Sequence, residues 1–136
     1  MTPIEMIHAL VGFDTTSARS NLPLIDFVRD YLAGHGIESR YIRSKDGTKA
    51  NLWATVGPDI PGGIVLSGHT DVVPVTGQKW DSDPFTVVEK DDRLYGRGVA
   101  DMKSFIAIAL ALVPDMLSRP LARPIHFALT HDEEVG

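Results

Sequence analysis

At 136 residues the chain is long enough for one domain with a core of its own, and 43% hydrophobic against 23% charged residues is the balance of an ordinary soluble globular protein. A net charge of −5, with no Lys/Arg cluster, argues against a nucleic-acid or anionic-membrane surface. Cysteine is absent, which excludes disulfide scaffolds and thiolate metal sites, so any metal must be held by histidine and carboxylates.

MTPIEMIHAL has no signal-peptide pattern, and no apolar run approaches the ~20 residues of a membrane span. The expectation is a cytoplasmic domain. Thr2, Pro3 and Glu5 predict a helix start, with Thr2 as N-cap and Glu5 closing a capping box. Ile4, Ile7 and Val11 then form one apolar stripe. A second helix is marked by Leu24, Phe27, Val28, Tyr31 and Leu32, with Gly34 or Gly36 to end it. Strands follow at about 37–43 and 51–56 across the turn KDGTK.

IVLSG, 64–68, reads as a strand buried on both faces of a parallel sheet. Residues 71–97 carry several turn signals and a small hairpin, FTVVEKDDRLYG. The run 102–113 is apolar nearly all round and predicts a buried helix, ended or kinked by Pro114. PIHFALT, 124–130, is another buried strand. Helices alternating with apolar strands give an α/β fold, a mostly parallel sheet flanked by helices. Ligands of such sheets bind beyond the carboxyl ends of the strands. His69 and Asp71 follow one strand and Glu133 and Glu134 another, so both groups should meet on one rim.

In GHTDVVP, His69 and Asp71 stand at i, i+2 and can point the same way. A metal-bound imidazole usually donates its other N–H to a carboxylate, a part Asp71 can play; a strand end with a loop-capping Asp explains the same residues. In LYGRGVADMK, Asp101 immediately precedes the buried helix. It is either an ordinary N-cap or a carboxylate able to bridge two cations. A dinucleotide loop is excluded, because Asp101 puts a negative charge where the third glycine and a pyrophosphate would sit. Glu133 and Glu134 point in different directions if the backbone stays extended, so one can ligate a metal while the other faces water. A solvated acidic turn is the competing explanation. His8, His35 and His126 read as structural or exposed, and His131 as near enough to the rim for a part in substrate binding.

The joint order of these motifs resembles the dinuclear zinc deacylases and peptidases, a family of acetylornithine deacetylases, succinyl-diaminopimelate desuccinylases, aminoacylases and glutamate-releasing carboxypeptidases. GHTDVVP, WDSDPF, LYGRGVADMK and THDEEVG carry the resemblance along the whole chain. RPIHFALTHDEEVG and the motif spacing are most similar to the acetylornithine deacetylases.

The resemblance implies two Zn2+ ions, with Co2+ as a possible substitute. His69 would ligate one, Glu134 the other, and Asp101 would bridge both, while Asp71 orients His69 and Glu133 is the general base. It implies a cis peptide after Asp101, a small N-acyl amino acid as substrate and a homodimer. It also implies further ligands and a lid domain downstream, so that residues 1–136 are an N-terminal portion of the catalytic domain. The activity implied is hydrolysis of the amide of an N-acyl amino acid. Desuccinylation, dipeptide cleavage and a non-catalytic binding domain remain alternatives.

Overall fold

The structure is a computed structural model and describes residues 1–135; Gly136, the last residue of THDEEVG, lies outside them. The chain runs α1 (Pro3–Val11), α2 (Leu22–Gly34), β1 (Ser39–Arg43), β2 (Ala50–Val56), β3 (Ile64–His69), β4 (Val88–Lys90), β5 (Arg93–Tyr95), α3 (Ser104–Ala111), α4 (Val113–Leu117) and β6 (Ile125–Thr130).

Helix α1 begins as its sequence dictates. The Thr2 hydroxyl accepts from the Glu5 amide and the Glu5 carboxylate from the Thr2 amide. Its buried face is Met6, Ile7, Leu10 and Val11, whereas Ile4 is exposed, so the core-facing stripe is displaced from the one the apolar spacing suggests. Pro114 falls in the first turn of α4 and separates it from α3.

The sheet has the order β1-β2-β6-β3, and the hairpin β4-β5 stands apart. Helices flank the sheet as expected, but the sheet is mixed rather than mostly parallel. Only β3 and β6 run parallel, while β1–β2 and β2–β6 are antiparallel. The connection explains the first pair. Residues 44–49 make a tight turn, with Ser44 N donating to Lys49 O at 2.9 Å and Gly47 at φ 74°, and a turn that short joins only antiparallel neighbours.

The core lies between one face of the sheet and the helices. Leu52, Ala54 and Val56 of β2 and Phe127 and Leu129 of β6 alternate inward against Met6, Leu10, Leu24, Ile106 and Leu110. Strand β3 is not buried on both faces. It is the outer strand of this order, and Ile64 and Val65 remain 58% and 52% exposed. Helix α3 likewise keeps Phe105 and Ile108 exposed, so its near-uniform apolarity does not mean burial all round. Gly68 admits the helix, since a Cβ there would meet Ile106 Cγ1 at 2.9 Å. Among the described residues, no helix is long and apolar enough to cross a membrane.

Candidate metal centre

Because β3 and β6 are parallel neighbours, their carboxyl ends lie side by side, with His69 opposite Thr130. Four hydrogen bonds weld this edge. Thr70 N and Oγ1 both donate to Thr130 O at 2.8 Å, Asn21 Nδ2 donates to Thr70 Oγ1 at 2.9 Å, and Thr15 Oγ1 donates to Thr70 O at 2.5 Å. The rim that carries His69 is therefore held from three directions.

Beyond Thr130 the backbone does not stay extended. Asp132 adopts φ 63° and Glu133–Val135 form a short 3-10 turn. This overturns the expectation that Glu133 and Glu134 diverge: in the turn their carboxylates converge. One ligand atom from each of His69, Glu133 and Glu134 lies within 4.8 Å of the others. Glu133 Oε2 is 3.8 Å from His69 Nε2.

Asp101 arrives on a separate turn. Gly98, at φ 81°, opens the turn Val99–Lys103, in which Asp101 has φ −129° and ψ 100° and its bond to Met102 is cis, as the motif implies. Asp101 is not the N-cap of α3, which starts at Ser104 without a side-chain cap. Its carboxylate is 74% exposed, and its Oδ1 stands 2.9 Å from His69 Nε2. The turn is pinned from beneath by Lys103, which is fully buried and donates Nζ to Phe13 O at 2.7 Å. Burial holds the Lys103 ammonium down to about 8, against the opposing pull of Asp14.

Asp71 is buried, and it orients His69 mainly through its backbone. Its carbonyl oxygen lies 2.9 Å from His69 Nδ1, whereas carboxylate Oδ1 is 3.5 Å away. The carboxylate is engaged elsewhere: Glu133 N donates to Oδ1 at 3.2 Å and Glu134 N to Oδ2 at 3.1 Å. Asp71 thus grips the turn that carries both glutamates.

Oxygen acceptors face both ring nitrogens of His69, an arrangement that an imidazolium satisfies with a donor on each. Burial opposes that charge, but the Asp71 carbonyl, the Asp101 hydrogen bond and the two carboxylates outweigh it and hold the imidazolium above its ordinary range. Burial, then the neighbouring Asp101 charge, pushes the Glu134 carboxyl up. So many acids around one imidazole make a place for positive charge. An imidazole nitrogen and carboxylate oxygens, without a thiol, form a donor set that suits zinc or a similar divalent cation.

His131 lies close to the turn, with Nδ1 2.9 Å from Asp132 Oδ2. His8 meets Glu89 at 3.0 Å, His35 ends α2, and His126 stacks on Trp53 with centroids 5.0 Å apart; all three are remote from the centre. A surface cavity of about 580 Å³, lined by His35, Arg40, Trp53 and Leu117 among others, contains none of the site residues. Sequence reasoning missed Thr15, Ser17, Asn21 and Lys49. Each is a polar residue contacting a motif distant in sequence, and no local pattern marks such a partner.

Comparison with known proteins gives the family and the fold. The model of peptidase family M20/M25/M40 matches residues 65–136. An acetylornithine deacetylase from Photorhabdus laumondii is 39% identical over 96% of this chain, which spans 36% of that protein's length. The fold matches human carnosine dipeptidase 1, with TM-score 0.84 and 24% identity over 98% of this chain and 32% of the other. It also matches an M20 family metallo-carboxypeptidase from Sulfolobus solfataricus, with TM-score 0.85 and 19% identity over 98% and 31%.

Proposed function

The chain belongs to peptidase family M20/M25/M40, and we propose that it forms part of the catalytic domain of a metal-dependent hydrolase that cleaves the amide of an N-acyl amino acid, N-acetylornithine first among them. The observation that carries this reading is the convergence of His69, Glu133 and Glu134 within 4.8 Å, with Asp101 on the same imidazole. The name of the 39% identical relative favours acetylornithine over other N-acyl substrates.

In this reading His69 and Glu134 would each hold a divalent cation, zinc or cobalt, with Asp101 as a further carboxylate available to both. Such cations, when bound, supply Lewis acidity that polarises an amide carbonyl and acidifies water. The chain's own residues do the rest. Asp71 keeps the His69 ring turned so that Nε2, not Nδ1, faces the carboxylates.

In this reading neither cation takes Glu133, and its exposed carboxylate acts as general base. It takes one proton from water as the water oxygen bonds to the acyl carbon. The C–N bond then breaks, and Glu133 returns that proton to the leaving nitrogen, giving a free amine and a carboxylic acid whose remaining proton passes to solvent. Two donors per cation fall short of the four that zinc prefers. Further donors therefore come, in this proposal, from outside residues 1–136, in the length that the relatives have beyond the matched stretch.

The test is a hydrolysis panel of N-acetylornithine, N-succinyl-diaminopimelate and dipeptides, run on the whole protein with zinc. Preferential release of acetate from N-acetylornithine is expected. Cleavage of the succinyl compound or of dipeptides in its place would reassign the substrate, and no hydrolysis of any would reject the enzyme reading.

A further inference from the structure

We propose that Ser17 is a positioning residue of the metal centre, acting through the Asp71 carboxylate on the turn that carries Glu133 and Glu134. The inference rests on the functional reading above. It starts from an imbalance at Asp71. That carboxylate is 2% exposed, accepts two backbone amides from the glutamate turn, and lies 3.5 Å from the His69 ring. Its shortest hydrogen bond comes from none of these. Ser17 Oγ donates to Oδ2 at 2.6 Å, from a residue itself only 6% exposed.

A hydroxyl bonded to a buried carboxylate at that distance sets its rotation, because losing the donor leaves Oδ2 with only the longer bond from Glu134 N at 3.1 Å. The alternative acceptor for the hydroxyl, Val72 O, is 3.5 Å away and weak by comparison.

Ser17 is itself fixed on both sides. Its amide donates to Val72 O at 3.1 Å, and its carbonyl accepts from Lys49 Nζ at 2.5 Å. The same Lys49 ammonium pairs with Asp132, the residue whose positive φ starts the glutamate turn. The segment 14–17 therefore holds the turn at two points, by Lys49 from outside and by Asp71 from beneath. Ser17 is the residue common to both holds. Its hydroxyl donates to Asp71 and only weakly faces Val72 O, so the effect of the hydroxyl passes through Asp71.

The test compares zinc affinity, by competition with a chelator, and steady-state kinetics for the whole wild-type protein, Ser17→Ala and Ser17→Thr. Ser17→Ala is expected to raise the zinc Kd about tenfold and lower kcat by a similar factor, with KM little changed, as for other groups that orient metal ligands indirectly. Ser17→Thr, which keeps the hydroxyl, should restore both. If the alanine chain does not fold, Ser17→Cys keeps the bulk, weakens the donor, and should shift Kd and kcat the same way. A melting temperature that falls while zinc Kd and kcat stay at wild-type values overturns the proposal. Wild-type protein that binds no zinc overturns it together with the functional reading. Zinc bound equally well by wild type and Ser17→Ala overturns the inference alone.

Discussion

Glu133 and Glu134 are neighbours in sequence and in space, yet their surroundings differ. Glu133 stands exposed 3.8 Å from the His69 ring, while Glu134 is half-buried with its carboxyl raised by burial and by Asp101. If the first moves protons and the second holds a cation, their amide variants must separate. Glu133→Gln should keep its zinc and lose kcat by about 10²–10⁴-fold, the contribution of a placed acid/base. Glu134→Gln should instead raise the zinc Kd. The reverse pattern, metal lost from Glu133→Gln and both zinc and turnover kept in Glu134→Gln, would exchange the roles.

His69 and Glu134 also predict a pH dependence. A group whose folded pKa is raised favours the fold in its protonated form. For Glu134 that contribution is complete below the ordinary value of 4.5, for His69 below 6.5, and each is lost as pH rises through the raised folded value. Chelator-treated protein should therefore lose stability from these groups as pH rises above 4.5 for Glu134 and above 6.5 for His69. With zinc the slope should reverse, because a cation displaces the second imidazole proton and binds more tightly as that proton leaves. Melting temperatures against pH, with chelator and with zinc, check both signs. Parallel curves would mean that the cation does not compete with the His69 proton.

At the scale of elements, the turn from Gly98 to Lys103 does the most to set the site. Gly98 sits at φ 81°, and a Cβ there would lie 2.7 Å from Val72 Cγ1. Gly98→Ala should cost on the order of 1–3 kcal/mol of stability for the left-handed backbone, more if Val72 cannot yield. Zinc affinity should fall with it, since Asp101 rides on the same turn. Denaturant unfolding and chelator competition measure the two, and an unchanged zinc Kd would separate the turn from the site.

Much of this scale is readable from local signals. The Thr2–Glu5 capping box, the Pro114 break and the β4-β5 hairpin are local chemistry, and each forms as its residues dictate. The sheet's mixed direction and the exposure of Ile64, Val65 and Phe105 are not local. A β-branched run reads alike whether a strand is central or at an edge, because the difference lies in what packs against it. The convergence of Glu133 and Glu134 was hidden for a related reason. It depends on the positive φ of Asp132 and the grip of Asp71, and neither shows in a run of acids.

For the whole molecule, the parallel pair β3 and β6 is the decisive feature. It brings GHTD and HDEE to one rim, and the Asp101 turn closes over them from α3. His69, Asp71, Asp101, Glu133 and Glu134 were all legible as candidates, since each stands at a strand or helix end where such folds put chemistry. Their supports, Ser17 and Lys49, were not. The relatives' greater length leaves room for the remaining donors that four-coordinate zinc requires.

The central claim is that this rim holds a shared metal centre, and a zinc count tests it most directly. The whole protein is loaded with zinc, dialysed, and its bound metal measured against protein concentration. About two equivalents are predicted for the wild type, about one for His69→Ala or Glu134→Ala, and the largest loss for Asp101→Ala. Wild-type zinc content in all three variants would contradict the account.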